Sequence, residues 1–425
     1  MGKLRWTISY LLGLGILISS ADRITLSVSG DALQHSFGLD KAGFGLLTGA
    51  FSIMYAACQI PIGLLLDRYG VALVGRVATF TLGLTCLFGA LAPNIPCLFI
   101  ARGTLGLAEC SGFLRSAKAI GYWFPTHERG MATAFFETMV KTANVIAFPL
   151  EAFIVIRYGW RNAFIINAIV SFAYFAAYFF LYRDPSKHPK LSTAEREYIV
   201  QGGSRPEGTE TSINLRCRLT HFLRQPKVWG LTIGLSSYGY GFGMLSAWLP
   251  TYLESSFRIS LMQASLYATV PWIAATTCGF LIGGKLVDDL IVRGYSMTNV
   301  RKTIMSAGLM LGTTFIAASF THDMRISLFY LAIAMGGLAF HGTVAWTIPG
   351  LIAPKGQIGI IGGIMNTFMN LTAFIAQVLT GFIVTWTGSF AVALMIAGII
   401  PIIGIISYIT LLGEIEPLPD IPIRS

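Results

Sequence analysis

From residue 390 to residue 412 the chain carries no charged side chain, and residues 168–181 behave the same way. A helix needs about 20 apolar residues to cross the hydrocarbon core of a bilayer. Inside that core every backbone amide must be satisfied within its own helix or in a closed barrel. Long apolar stretches of this kind therefore point to a bundle of membrane-spanning helices. Composition agrees. Charged residues make up 12% of the chain and hydrophobic residues 54%, against roughly 25% charged in a soluble domain.

The first apolar run, residues 6–20, has the small residues Ser19, Ser20 and Ala21 where a leader would be cut. Asp22 and Arg23 then interrupt it, and apolar character resumes through Val28. It is expected to be one retained helix. The cysteines form no C-x-x-C pair, and all but Cys217 sit inside apolar runs. They read as small buried hydrophobes rather than metal ligands or disulfides.

Turns, charges and prolines divide the apolar runs into twelve expected segments, near residues 5–29, 42–65, 72–92, 95–119, 130–154, 160–182, 228–252, 262–288, 302–320, 326–352, 357–384 and 387–412. Only the connection 183–227 is long. The expected organisation is an all-α membrane protein of two six-helix bundles, 1–182 and 228–425, joined by the loop 183–227. Within that loop, residues 191–199 read as a short surface helix, with Ser192 and Glu195 at capping-box spacing.

The net charge of +10 is unevenly placed. With the N-terminus inside, the outer connections hold only Lys41, Arg157, Arg161, Arg258 and Arg325. The inner ones hold most of the rest, so both termini and the long loop are expected in the cytoplasm. The basic residues thus read as topology signals facing anionic lipid, not as a nucleic-acid surface. The halves also echo each other. Gly63 precedes Asp67 and Arg68 as Gly284 precedes Asp288, in both cases by four positions to the acid. A small residue lets a neighbouring helix approach, and the acid can meet a helix dipole or an arginine. Asp67, Arg68 and Asp288 are expected to be gating residues.

A charge near mid-bilayer costs at least about 2.5–3.5 kcal/mol on insertion scales. Asp22, Arg23, Arg102, Glu109, Glu137 and Lys141 are all expected within helices. Arg102 and Glu109, two turns apart, share a helix face. Asp22 and Arg23 are adjacent and point about 100° apart. Glu137 and Lys141 have the spacing of an internal ion pair. Arginine grips a carboxylate through a planar fork and keeps its charge, so Arg23 is the expected anion clamp. A carboxylate in an apolar site can carry a proton, so Asp22 and Glu109 are the expected proton carriers, with Arg102 as their partner. Tyr55, Trp346 and Asn366 supply aromatic and amide groups for a pocket. His341 reads either as a helix-to-helix hydrogen bond or as a substrate or proton group.

Asp22-Arg23, Cys58 to Pro61 with Gly63 and Asp67 to Gly70, Arg102 to Glu109, Trp123 to Arg129, Trp248 to Tyr252, Arg301 to Thr303 and Gly362 to Asn366 together resemble the anion:cation symporters of the major facilitator superfamily. That group includes bacterial galactonate, glucarate and hexuronate transporters and is related to sialin and the vesicular glutamate transporters. The resemblance implies twelve helices and proton-coupled uptake of an organic anion. It assigns protons to Asp22 and Glu109, and substrate to Arg23, Tyr55, Trp346 and Asn366. Val140, Ser20 and Ala339 depart from polar groups of the sugar-acid carriers. With Lys141 as an extra cation, the departures point to an acid bearing a second anionic group. The expected protein is a monomeric proton symporter for a small organic anion in the inner membrane. It has no cofactor or metal and is not an enzyme; an exchanger or efflux carrier of the same fold is the alternative.

Overall fold

The computed structural model describes residues 3–204, 215–354 and 358–418, except the side chains at 134, 136, 137 and 215–218. Glu137, half of one expected ion pair, and Lys355 therefore lie outside the described residues. Helices follow one another along the chain: α1 (Leu4–Val28), α2 (Gly30–Phe37), α3 (Lys41–Leu91), α4 (Ile95–Glu109), α5 (Ser111–Trp123), α6 (Arg129–Tyr158), α7 (Trp160–Leu181), α8 (Thr193–Gln201), α9 (Leu215–Leu223), α10 (Pro226–Phe257), α11 (Leu261–Cys278), α12 (Val287–Val292), α13 (Met297–Gly312), α14 (Phe315–Ser319), α15 (Met324–Thr347), α16 (Pro349–Ile352), α17 (Ile358–Thr387) and α18 (Ala391–Thr410). Among the described residues there is no strand.

Nine of the described helical stretches are long and apolar enough to cross a membrane. One of them, α3, spans 51 residues, or about 77 Å at 1.5 Å per residue. That is more than twice a bilayer core. It turns at Gly70, whose φ of 79° is a conformation that other residues rarely adopt. By contrast, α10 is rich in glycine, serine and tyrosine, and most of it is buried. It faces protein rather than lipid, which explains its lower apolar character.

The chain forms two compact units. The first comprises Met1–Ser29 and Ala57–Glu210; the second comprises Gly30–Ala56 and Thr211–Ser425. In the first, α1 packs against α6, α7 and α5. Tyr174 of α7 lies over Gly15, where a Cβ would sit 2.1 Å from its hydroxyl oxygen, and that hydroxyl donates to the Leu11 carbonyl at 3.2 Å. Asn94 caps α4 by accepting from the Cys97 amide at 3.1 Å.

Ser192 caps α8, accepting from the Glu195 amide at 3.2 Å. Glu195 does not turn back to close a capping box. Its carboxylate accepts instead from the Leu4 and Arg5 amides at 3.3 Å each and from Arg5 Nη1 at 3.0 Å. An anion at a helix N-terminus is favoured by the exposed amides and the dipole. Arg5 also holds Glu128 at 2.8 Å, and Glu128 accepts from the Tyr198 hydroxyl at 2.8 Å. The loop helix is thus tied to the start of α1.

In the second unit α10 packs against α17 and α18, and α15 against α11 and α13. A Cβ on Gly243 would lie 2.7 Å from the Ala373 Cα, so only glycine allows α10 and α17 to approach this closely. The Trp248 indole donates to the Gln377 carbonyl at 3.0 Å and packs against Phe44 and Phe390. Residues Gly279–Leu286 form a π-helical stretch leading into α12.

The Arg5 guanidinium and the Tyr198 hydroxyl hold the Glu128 carboxyl below its usual range. A depressed folded pKa stabilises the fold above the unfolded value, about 4.3, and the gain is lost as pH falls through the folded value. Glu128→Gln is expected to cost no more than about 1 kcal/mol at neutral pH, given the solvent around the pair. Thermal unfolding in detergent should show the gap between the two proteins at pH 7 and its closure below pH 4.

Candidate functional site

Burial sorts the charges of the first unit. Asp22 is 2% exposed, Arg102 4% and Glu109 7%. Asp22 and Arg23, adjacent on α1, have different partners. Asp22 Oδ2 accepts from the Ser171 hydroxyl of α7 at 3.4 Å, and the Cys86 thiol of α3 is a second polar neighbour. Arg23 lies on another face of α1. Its Nε is 3.2 Å from Glu109 Oε2, and its Nη2 donates to Ser20 at 2.9 Å. Ser20 therefore steadies the guanidinium.

The direct ion pair of Glu109 is with Arg23 of α1. The reason is geometric. Seven residues separate Arg102 from Glu109 by about 10 Å along the axis, whereas Arg23 reaches across from α1. Arg102 still acts on Glu109 and Asp22 electrostatically. The site therefore has two cations arranged around Glu109, and one of them, Arg23, keeps 28% of its side chain exposed.

One buried carboxylate is absent from the sequence reading. Glu151 of α6 is 1% exposed. Its Oε1 accepts from Asn167 Nδ2 at 3.0 Å, and the same amide donates to Thr25 of α1. The signal was present: an acid within the apolar run 142–156. It lies inside the expected segment 130–154 and inside α6, which runs on to Tyr158.

Other expected site residues belong to the second unit. Tyr55 is buried beside Phe51, with ring centroids 5.7 Å apart. Trp346 is half-buried at the end of α15. Asn366 is 4% exposed, and its Oδ1 accepts from Asn370 Nδ2 at 3.0 Å. His341 is wholly buried, with Nε2 2.7 Å from the Tyr408 hydroxyl, which is the helix-to-helix contact of its two readings. Lys141, on α6 of the first unit, is half-buried.

Of the expected gating residues, Asp67 pairs with Lys118 of α5. The Arg68 guanidinium stands 5.3 Å from the Tyr69 ring centroid. Asp288 of α12 acts electrostatically on the buried Arg301 of α13. Among the described residues no group of His, Cys, Asp and Glu could hold a metal ion.

Comparison with known proteins follows the same lines. Residues 12–377 match the Major Facilitator Superfamily. The uncharacterized transporter YybO of Bacillus subtilis strain 168 is 34% identical over 98% of this chain and 95% of its own length. The probable galactarate/D-glucarate transporter GudP of the same strain is 32% identical over 97% of this chain and 93% of its own. The crystal structure of a bacterial homolog of the human lysosomal transporter Spinster, inward-facing and occupied, aligns with a TM-score of 0.74 at 16% identity, covering 96% of this chain and 97% of that one. The chain is an integral membrane transporter, not an enzyme, and it belongs to the Major Facilitator Superfamily.

Proposed function

We propose that the protein is a proton-coupled symporter that carries a small organic anion, a sugar acid or other carboxylate, across the cytoplasmic membrane. The observation that carries this reading is the Arg23–Glu109 ion pair. A guanidinium with part of its surface open can grip a substrate carboxylate through two parallel hydrogen bonds. While Glu109 is ionised it occupies Arg23. Once protonated it no longer competes, and Arg23 is released to the substrate. Proton binding and anion binding then favour each other, as a reciprocal coupling requires. Asp22 serves as a second proton carrier. Arg102 compensates Glu109 after the substrate leaves.

The substrate class follows from the cations and from a relative. GudP of Bacillus subtilis is named for galactarate and D-glucarate, both of which carry two carboxylates. Arg23 would take one carboxylate and Lys141 the other; Tyr55, Trp346 and Asn366 are the further residues proposed to bind substrate. Twelve spans arranged as bundles 1–182 and 228–425, with the loop 183–227 and both termini in the cytoplasm, complete the proposal. Asp67, Arg68 and Asp288 act as gating residues. The working form is a monomer with no cofactor, and the coupling ion is H+.

Counterflow of labelled D-glucarate in proteoliposomes separates the roles. Glu109→Gln is expected to keep counterflow within a few-fold and to lose uphill uptake driven by a proton gradient. Arg23→Ala is expected to lower both by roughly a hundredfold, the usual cost of removing one partner of a buried charged contact. Unchanged counterflow in Arg23→Ala removes Arg23 from the substrate site. Gradient-indifferent uptake in the unsubstituted protein points to an exchanger or facilitator.

Lys141→Ala is expected to weaken D-glucarate by about tenfold, one charge-assisted contact. D-galactonate, with a single carboxylate, should be barely affected. Equal losses for the two acids would detach Lys141 from the second carboxylate.

A further inference from the structure

The first unit holds the deeply buried carboxylates Asp22, Glu109 and Glu151, and the charges of Glu109 and Glu151 both act on Asp22. The described cations that act on Glu109 in this cluster are Arg23 and Arg102. Among the described residues three carboxylates thus share two cations, and an uncompensated charge in such a place is expensive.

Geometry identifies Glu151 as a distinct group within this cluster. Asp22 and Thr25 are one turn apart on α1, and Asn167 and Ser171 are one turn apart on α7. They form two adjacent rungs. In one, Ser171 donates to Asp22; in the other, Asn167 donates to Glu151 and to Thr25. Glu151 Oε2 has no hydrogen-bond partner among the described residues. None of the ion pairs among the described residues includes Glu151.

The charged groups on neighbouring elements point elsewhere. On α1, Asp22 is the acid that faces Glu151, while Arg23 is engaged by Glu109. From α7 come the neutral Asn167 and the phenols Tyr174 and Tyr178, whose hydroxyls donate to Leu11 and Val71 carbonyls. From α5, Arg115 donates to the Gly75 carbonyl and Lys118 meets Asp67. On α6 itself, Lys141 and Arg157 stand ten residues before and six after; Glu137 lies outside the described side chains.

We propose that Glu151 is a further proton-binding site of this transporter, a carboxylic acid linked through α7 to Asp22 so that the protonation of one is tied to that of the other. A neutral acid suits the site. Protonation removes the charge from Oε2, which no described donor satisfies, while Oε1 continues to accept from Asn167. The inference rests on the proton-coupled reading above.

Infrared difference spectroscopy of the purified full-length protein, stepped between pH 5 and pH 9 without substrate, tests it. The carbonyl stretch of protonated carboxylic acids is the readout. Glu151→Gln keeps the shape and the Asn167 hydrogen bond but cannot titrate. It is expected to lose one carboxylic component. It should also shift the pH midpoint of the component that Asp22→Asn removes, because interacting sites titrate as a pair. A spectrum identical to that of the unsubstituted protein overturns the proposal. A lost component with an unmoved Asp22 midpoint overturns the link to Asp22. If Glu151→Gln does not fold, Glu151→Asp decides. A displaced component supports the proposal, and an unchanged spectrum overturns it. If the unsubstituted protein shows no titrating carboxylic component, the proton-coupled reading fails as a whole.

Discussion

A guanidinium and a carboxylate held 3.2 Å apart inside apolar helices set the terms for the first unit. Neither charge is tolerable there alone, since each unpaired ion costs several kcal/mol after relaxation. Their pairing is what lets α1 and α4 carry them. The same cost makes the pair responsive. A proton on Glu109, or an anion on Arg23, alters the balance by more than a surface contact could. The surrounding groups follow from that requirement. Ser20 steadies Arg23, Arg102 adds a second positive charge to the cluster, and Ser171 with Cys86 receives Asp22.

The remainder of each unit keeps such groups in register. Glycines at Gly15 and Gly243 let large neighbours or whole helices approach, which fixes the spacing that polar contacts need. At the start of α1, Glu195 and Glu128 secure Arg5 and the first amides. The loop helix α8 is thereby coupled to the helix that carries Asp22 and Arg23. In the second unit, Trp248, Gln377 and Ser52 form a comparable buried polar tie.

Much of the fold was legible because membrane helices announce themselves by apolar length. The run from residue 390 to 412 reappears as α18 with modest trimming, and Asn366 and Asn370 do sit one turn apart and bonded. Pairings across helices were less legible. Spacing along α4 showed that Arg102 and Glu109 share a face, but not that Arg23 would reach Glu109 from α1. Spacing cannot report which helices are neighbours. Glu195 shows the same limit: local rules assigned it to its own cap, whereas the amides of a distant helix start claim it. Glu151 escaped for a related reason. It is an acid without a charged residue close by on its own helix, so no spacing rule singled it out, and its partners Asn167 and Thr25 come from other helices.

The central claim is that anion and proton cross together. Proteoliposomes loaded with a pH-sensitive dye and given external D-glucarate, with no imposed gradient and the membrane potential clamped, measure this directly. The account predicts that the lumen acidifies as labelled D-glucarate enters, and that Glu109→Gln abolishes the acidification. Entry of D-glucarate with no change in lumenal pH would contradict it.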